Sequence, residues 1–282
     1  MRKSFVLFAL SVLCVLAVMP TYSQDMPEKK LGWKLGTQAY SFRLFSFAEA
    51  IAKTDSCGLR YIEAFPGQTV GAGITDKMGP ELSKEQRGQV LQMLKDKNVE
   101  LVAFGVTNGN SEEEWVRIFE FAKEMGIKNI NTEPKQEQLP MIGKLADKYK
   151  IKVSIHNHPK PTPYWNPDTV LKAIALANSP YVGACADIGH WVRSGLDPVA
   201  CIAQYKGHIN HLHFKDLNEK DPKAHDVHWG TGVSNVRGVL QALKDQGFKG
   251  MLSAEYEYNW EDNAKDIAIS ATNFRAIVKE LK

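Results

Sequence analysis

Residues 128–157, KNINTEPKQEQLPMIGKLADKYKIKVSIHN, contain in order a short apolar strand, a polar loop, a helix and a second strand. Apolar residues in Leu139–Tyr149 recur at the spacing of an amphipathic helix, whereas the flanking stretches 128–133 and 151–157 are too short for helices and suit buried strands. The same order of elements recurs along the chain. Alternation of strands and helices predicts a parallel sheet covered by helices.

The pattern predicts eight strands, each followed by a helix. The strands are expected at roughly 34–41, 60–65, 99–106, 128–133, 151–157, 182–187, 209–215 and 250–257. The helices are expected at Phe47–Cys57, Leu82–Lys97, Glu113–Met125, Leu139–Tyr149, Asp168–Ala177, Pro198–Tyr205, Val233–Gln246 and Ala264–Leu281. An open doubly wound sheet would normally carry a glycine-rich phosphate loop after its first strand, and Leu35–Phe42 is followed by none. We therefore predict an α/β protein with a single (β/α)8 TIM-barrel domain over residues 25–282.

Residues 1–24 have the pattern of a secretory signal peptide. Arg2 and Lys3 precede an almost wholly apolar run, and Thr21 and Ser23 place small residues at a cleavage site. The apolar run is short for a membrane span, so we expect cleavage and an exported, periplasmic or extracellular protein with no membrane anchor. The competing interpretation is a retained N-terminal anchor.

Composition excludes some classes of function. Loss of Arg2 and Lys3 with the signal peptide lowers the formal net charge from +3 to +1, so the mature protein lacks the basic character of a nucleic-acid-binding protein. The remaining cysteines, Cys57, Cys185 and Cys201, are odd in number and far apart, which fits neither a disulfide framework nor a structural zinc site. An exported compartment would permit one disulfide among them, and the sequence leaves a homo-oligomer open.

Polar side chains cluster at the ends of predicted strands four to eight. In strand seven, His211, His213 and Lys215 alternate with Leu212 and Phe214, so the three polar residues share one face. The apolar residues suit the outer face beneath the helices, and the polar face is predicted to point into the barrel. The corresponding polar sets are Asn129, Asn131 and Glu133 in strand four, and Ser253, Glu255 and Glu257 in strand eight. Function in such barrels sits at the C-terminal ends of the strands.

A metal ion best explains this convergence. All eight histidines lie between His156 and His228, and buried charges and imidazoles are costly unless they are paired or coordinated. A mixture of carboxylates with imidazole suits one divalent ion such as Mn, Co, Mg or Zn. Moving a proton on the carbon beside a carbonyl needs a base, an acid and positive charge where the enediolate oxygen develops, and such a site supplies all three.

Four motifs together resemble the xylose isomerase-like barrels of the sugar phosphate isomerase and epimerase family: Asn131-Thr-Glu133, Asp187-Ile-Gly-His190, His211-Leu-His213-Phe-Lys215-Asp216 and Ala254-Glu255. The resemblance covers nearly all of the mature chain. It implies that the metal ligands are Glu133, Asp187, His213 and Glu255. It also implies that Glu133 and Glu255 are the catalytic acid/base pair and that His190 contacts substrate.

Further residues are expected to bind the substrate, a small carbohydrate. His156 and His158 end strand five and are predicted to line the pocket, and Glu63 at the end of strand two is predicted to face the same mouth. His228 and Trp229 lie in a glycine-containing loop that reaches over the site in related barrels. Lys215 is expected either to stabilise negative charge that develops on the substrate or to form an ion pair with Asp216 or Glu257.

The motifs predict a metal-dependent sugar isomerase or epimerase that acts through an enediolate. Export makes an unphosphorylated sugar the expected substrate, and the last strands show no clear phosphate-binding sequence. A second hypothesis is a lyase or hydrolase of 3-keto-glycosides that uses the same proton abstraction. A third is a sugar-binding barrel without catalysis. A DNA-repair endonuclease is disfavoured, because no histidine precedes His156 and the charge is nearly neutral.

Overall fold

A computed structural model describes residues 26–282 and places ten strands within them. They are β1 (Lys34–Gln38), β2 (Tyr61–Ala64), β3 (Thr69–Gly71), β4 (Ile74–Lys77), β5 (Glu100–Phe104), β6 (Asn129–Thr132), β7 (Lys152–His156), β8 (Val182–Asp187), β9 (Ile209–Phe214) and β10 (Met251–Ala254). Eight of the strands are parallel and close into a barrel in the order β1-β2-β5-β6-β7-β8-β9-β10, with β10 pairing back onto β1. The predicted (β/α)8 barrel is confirmed.

Nine α-helices connect and cover the strands of the described region. They are α1 (Phe47–Ser56), α2 (Lys84–Asp96), α3 (Glu112–Glu124), α4 (Leu139–Tyr149), α5 (Pro167–Ala177), α6 (Ile188–Arg193), α7 (Pro198–Gln204), α8 (Val236–Asp245) and α9 (Ala264–Lys279). Polar side chains fix where several helices begin. Ser46 with Glu49 at α1, and Ser83 with Gln86 at α2, form capping boxes, in which each side chain accepts the other residue's backbone N–H. Ser111 accepts the N–H of Glu114 at the start of α3.

Side-chain alternation divides each barrel strand between two environments. Leu212 and Phe214 of β9 and Ile130 of β6 are fully buried in the apolar layer between strands and helices. Their neighbours His211 and His213 are equally buried but point into a polar barrel interior, where they bond to Glu63. The barrel therefore encloses a hydrogen-bonded network that leads to its C-terminal mouth.

Two elements depart from the predicted arrangement. The hairpin β3–β4 follows β2 and is not expected from the sequence, because its strands have only three and four residues and turn at Ala72 and Gly73, both at positive φ. The short helix α6 follows β8 directly, so Asp187 both ends a strand and caps a helix.

Predictions about export fall largely outside the structure. The predicted signal peptide, residues 1–24, lies outside the described residues. Within residues 26–282, no helix is both long enough and apolar enough to span a membrane. Cys57, Cys185 and Cys201 are buried free thiols.

Candidate active site

Four buried side chains from four neighbouring strand ends converge at the mouth of the barrel. His156 ends β7, Asp187 ends β8, His213 lies in β9 and Glu255 directly follows β10. Each contributes one ligand-type atom, and these atoms lie within 4.8 Å of one another. We call these residues the four-donor group.

The imidazole of His213 is oriented by a carboxylate behind it. Its Nε2 lies 3.1 and 3.2 Å from the two oxygens of Glu63, so this nitrogen carries the proton and donates it. The other nitrogen, Nδ1, is buried without a hydrogen-bond partner among residues 26–282 and lies 3.1 Å from Glu255 Oε2. When the imidazole is neutral, a proton held on Nε2 leaves the Nδ1 lone pair directed at the four-donor group, which is the usual arrangement of a metal-binding histidine.

His156 is oriented in the same way from the opposite side. Its Nδ1 lies 2.8 Å from Glu133 Oε1, whereas Nε2 is buried, has no hydrogen-bond partner in the described part of the chain and lies 3.6 Å from Asp187 Oδ2. The four-donor group thus offers two imidazole lone pairs and two carboxylates, each imidazole held by a second carboxylate. This donor set of two imidazoles and two carboxylates fits a divalent transition metal or a catalytic zinc ion better than a structural zinc site built on cysteine.

The ammonium of Lys215 joins the two carboxylates of the group. Its Nζ lies 2.6 Å from Asp187 Oδ2, bonds Glu255 Oε2 and lies 3.6 Å from Glu257 Oε2. Burial would lower the pKa of Lys215, but Asp187 and Glu255 raise that pKa well above its usual range. Burial would also raise the pKa of Glu255, which His213 and Lys215 hold well below its usual range. The lysine is therefore charged and balances two ionised carboxylates.

The two carboxylate oxygens of Asp187 have different partners. Oδ1 accepts the backbone N–H of His190 at 2.7 Å and so caps α6, whereas Oδ2 faces Lys215 and the imidazoles. Burial would raise the pKa of Asp187, but His190 and Lys215 hold it well below its usual range. Burial lowers the pKa of His190 itself well below its usual range.

A cavity of about 260 Å³ opens beside the four-donor group. Glu255, Glu257 and His158 bring ionisable groups to it, and Gln38, Tyr40, Phe65, Pro66, Gly105 and Val106 complete the lining. His158 bonds through Nδ1 to Glu133 Oε1. Burial would raise the pKa of Glu133, but hydrogen bonds from His156 and His158 lower it to about 2. Glu133 is thus an ionised carboxylate. It bonds one imidazole of the four-donor group, that of His156, and one imidazole that lines the cavity, that of His158.

The structure brings together three of the four ligands that the motifs predict. Asp187, His213 and Glu255 lie in one group, but the fourth member is His156 rather than Glu133. Glu133 bonds His156 and His158 through Oε1 and forms with them a second, less buried group of possible ligands. The sequence signal for His156 was its place at the end of β7, which we had interpreted as substrate binding.

Two residues predicted to contact substrate lie away from the cavity. Glu63 is fully buried beneath the four-donor group, where it bonds His211, His213, Asn131 and Ser253. Trp229 is 1% exposed and packs edge-on against Phe214. The predicted roles of Glu63 and Trp229 in substrate contact are corrected to positioning and packing.

The remaining predicted contacts are distributed around the mouth. His158 lines the cavity as predicted, whereas His190 is buried against Asp187 and Lys215 is buried between carboxylates. Lys215 pairs with Glu257, as one prediction allowed, but not with Asp216. Asp216 instead accepts the backbone N–H groups of Gly230, Gly232 and Ser234 and so fixes the loop between β9 and α8.

His228 faces a second, larger cavity of about 680 Å³ behind β10. The same cavity is lined by Asp226, whose Oδ2 accepts the N–H of Glu257 at 3.2 Å. Burial raises the pKa of Asp226 to about 8, although Lys215 and Arg193 oppose that rise and Glu257 adds to it.

This raised pKa predicts a specific pH dependence of stability. The folded protein keeps a proton on Asp226 that the unfolded chain releases near the ordinary value of 3.8, so stability from this group is lost as pH rises toward about 8. Asp226→Asn removes the titration. We expect the unfolding free energy of the variant, relative to wild type, to increase from pH 5 to about 8 and to stay level above it.

Urea unfolding at several pH values measures this difference. Asp245→Asn, at an exposed position on α8, is the control and should follow the wild-type curve in parallel. A constant difference between Asp226→Asn and wild type across the same range would contradict the raised pKa.

Comparison with known proteins identifies the family. A model of the xylose isomerase-like TIM barrel matches residues 51–276, most of the chain. The chain belongs to this family. A solved structure of an uncharacterised protein from Parabacteroides distasonis shares 34% identity, covers 86% of this chain and 98% of its own, and superposes with a TM-score of 0.71.

Two further similarities are to proteins with a stated activity or ligand. An inosose dehydratase of Clostridium tetani is 33% identical over 152 residues, which cover 48% of this chain and 51% of that protein. The match therefore spans about half the length of this curated relative. The structure of an IolI protein with a bound zinc atom superposes with a TM-score of 0.68 over 88% of this chain and 99% of its own, but at 16% identity this likeness shows the fold alone.

Proposed function

We propose that this protein is a metal-dependent enzyme that eliminates a leaving group from a keto-sugar or keto-glycoside. The observation that carries the proposal is the four-donor group with the cavity beside it, onto which Glu255 and the Glu133-held His158 both open. A divalent ion bound by His156, Asp187, His213 and Glu255 would hold the substrate's carbonyl oxygen and a neighbouring hydroxyl and would neutralise charge that develops on the carbonyl.

The chain's own residues supply the proton transfers. His158 and Glu255 reach the cavity from different strand ends, so the ionised Glu255 can take the proton beside the carbonyl while His158, as an imidazolium, gives a proton to the departing oxygen. Glu133 accepts a hydrogen bond from His158 and would stabilise its imidazolium form. Lys215 keeps Glu255 ionised and in place.

One observation favours elimination over the predicted isomerase or epimerase activity. The epimerase hypothesis assigns the proton transfers on the two faces of one carbon to Glu133 and Glu255, and of these two only Glu255 lines the cavity. Elimination can instead use Glu255 as the base and His158 as the acid, and both line the cavity. The similarity to an inosose dehydratase, named for a lyase-type reaction on a keto-sugar, supports the same choice.

We also propose that the substrate is unphosphorylated and that the protein is exported. Among the described residues that line the cavity beside the four-donor group, none is a lysine or an arginine, so no cation there suits a phosphate. The signal-peptide pattern of residues 1–24 supports export. Cell fractionation should find the protein outside the cytoplasm, shortened by about two dozen residues.

Incubation with a 3-keto-glycoside in D2O tests the reaction. We expect release of the aglycone with loss of the proton beside the carbonyl. Deuterium incorporation into a free ketose without bond cleavage would contradict the elimination reaction and support the isomerase hypothesis. Binding with neither cleavage nor exchange would replace it by the sugar-binding barrel.

The position of Glu63 behind His213 predicts that removing its charge weakens metal binding. Glu63→Gln removes the carboxylate that fixes the proton of His213 on Nε2, and loss of such a partner typically weakens metal binding about 10- to 100-fold. Competition with a metal-binding dye measures the affinity. Glu100→Gln, which changes a half-exposed glutamate paired with Lys34 at the opposite end of the barrel, should have no effect. Equal affinities in both variants would contradict the role of Glu63.

A further inference from the structure

A cavity of about 450 Å³ lies beside the catalytic mouth, and its volume is within the range of small-molecule sites, roughly 300–1,000 Å³. We call it the rim cavity. Its walls are residues 43–46 after β1, Phe65 and residues 67–69 after β2, and Lys77 of β4. Phe65 lines the mouth cavity as well, so the two spaces adjoin at this residue.

Aromatic side chains join the rim cavity to the mouth. The ring of Phe65 packs edge-on against that of Tyr40, with centroids 5.2 Å apart, and both residues line the mouth cavity. Arg43, in the wall of the rim cavity, donates from Nη1 to the hydroxyl of Tyr40 at 2.8 Å. Phe65 and Tyr40 are only partly buried, so a substrate longer than one sugar ring can extend from the mouth over them into the rim cavity.

The two cavities differ in charge. Glu255 and Glu257 line the mouth cavity, whereas the described lining of the rim cavity contains Arg43 and Lys77 and no aspartate or glutamate. Neither cation forms an ion pair with a carboxylate of residues 26–282, and Lys77 Nζ donates instead to Thr69 Oγ1 at 2.7 Å. A guanidinium has five N–H donors and an ammonium has three, so both keep donors for a ligand. The lining of the rim cavity therefore favours an anion.

The guanidinium of Arg43 is held where it can bind a planar group. It lies over the ring of Trp260, 3.7 Å from the ring centroid, and a stacked guanidinium keeps its N–H groups at its edge. Such an edge matches the two oxygens of a carboxylate. Phe45 and Phe65 add apolar surface to the same cavity, and the ammonium of Lys53 lies 3.9 Å from the ring centroid of Phe45. Cations beside apolar rings suit a ligand ring that carries a carboxylate.

We propose that the rim cavity is a subsite for a carboxylate-bearing ring in the part of the substrate that extends beyond the keto-sugar. Its place in a substrate rests on the proposed elimination reaction, and the proposed absence of phosphate leaves a carboxylate as the anion. Arg43 and Lys77 bind the carboxylate, and the ring packs against Phe65. The substrate class is thereby narrowed to keto-glycosides joined to an acidic ring, either a uronic acid or a phenolic acid.

A pair of substrates that differ only in charge tests the subsite. The 3-keto-glucosides of 4-hydroxybenzoate and of 4-hydroxybenzamide have nearly the same shape, and the quantity measured is the ratio of their kcat/KM values, acid over amide. Arg43→Gln and Lys77→Gln should each lower this ratio about tenfold, because each removes a charged hydrogen-bond donor to the carboxylate. Added salt should lower the wild-type ratio as well, since the two cations face solvent.

Arg117→Gln is the matched control for these variants. Arg117 is an exposed arginine of α3 that lies outside the lining of both cavities, so its loss should leave the ratio at the wild-type value. A ratio that stays at the wild-type value in Arg43→Gln and Lys77→Gln would overturn the proposal.

A binding measurement separates the subsite from the reaction. Binding of D-glucuronate and of 4-hydroxybenzoate, followed by saturation-transfer NMR, should be weakened in Arg43→Gln and Lys77→Gln and unchanged in Arg117→Gln, and the tighter of the two acids identifies the ring. If keto-glycosides are not cleaved but this pattern is found, the elimination reaction is wrong and the acidic subsite stands. If both acids bind all four proteins equally, or none of them, the subsite is wrong whatever the reaction. Tighter binding of glucose 6-phosphate than of either acid would overturn the assignment of a carboxylate.

Discussion

Replacing Asp187 by asparagine should lower kcat/KM for keto-glycoside cleavage at least about 100-fold. Asn caps helices as well as Asp does, so the backbone of α6 should keep its cap from the side-chain oxygen. What is lost is the charge on Oδ2, which faces Lys215 and the unpaired Nε2 of His156. The variant should therefore fold and fail in catalysis.

Asp197→Asn is the matched control for this effect. Asp197 caps α7 as Asp187 caps α6, but its side chain is exposed and contacts no member of the four-donor group. Its activity should equal that of wild type. Steady-state kinetics on both variants, with circular dichroism to confirm folding, gives the comparison, and equal activities would contradict a catalytic role for the Asp187 carboxylate.

Replacing Lys215 by methionine should lower the unfolding free energy of metal-depleted protein by about 3–5 kcal/mol. The ammonium is fully buried between Asp187 and Glu255, so its removal leaves two buried carboxylates without their cation. A divalent ion can then neutralise the two carboxylates without competition from the lysine. Added Mn²⁺ or Zn²⁺ should raise the stability of Lys215→Met more than that of wild type.

Lys265→Met gives the exposed counterpart of this substitution. Its ammonium pairs with Asp262, and both side chains are largely exposed, so solvent screens the pair and it should contribute little to stability. Denaturant unfolding with and without metal measures both variants. If Lys215→Met were as stable as Lys265→Met in the absence of metal, the buried ion pair would not have the role assigned to it.

Sequence reasoning could predict the barrel and the polar lining because both depend on short-range periodicity. Alternation in residues 209–215 places His211, His213 and Lys215 on one face, and the structure has them there. The same rule could have excluded a Lys215–Asp216 pair, since adjacent strand residues point to opposite faces. Asp216 in fact holds the loop after β9.

Residue order could not show that the fourth member of the four-donor group is His156 and not Glu133. Both residues end neighbouring strands, and which one faces the other donors depends on the bonds that each side chain makes. Glu133 is held by two imidazoles, one of which belongs to His158, beyond the end of β7. Glu63 was misplaced for a related reason: its carboxylate lies beneath His213, a contact between residues 150 positions apart.

The second cavity was also beyond sequence reasoning. Its lining combines the loop after β9, the segment after β10 and one residue of α9, which come together only when the barrel closes. Alternation places Tyr256 on the face opposite Glu255 and Glu257, but no local pattern indicates which other segments line a cavity with it there.

Metal content of the purified protein tests the central claim most directly. Elemental analysis of wild type and Asp187→Asn, both purified without chelator and dialysed identically, gives divalent ions per chain. We predict about one ion per chain in wild type and almost none in the variant, because the ion loses a central carboxylate of its mixed imidazole and carboxylate site. Equal metal content in the two proteins, or none in wild type after reconstitution with Mn²⁺, Co²⁺ or Zn²⁺, would contradict the account.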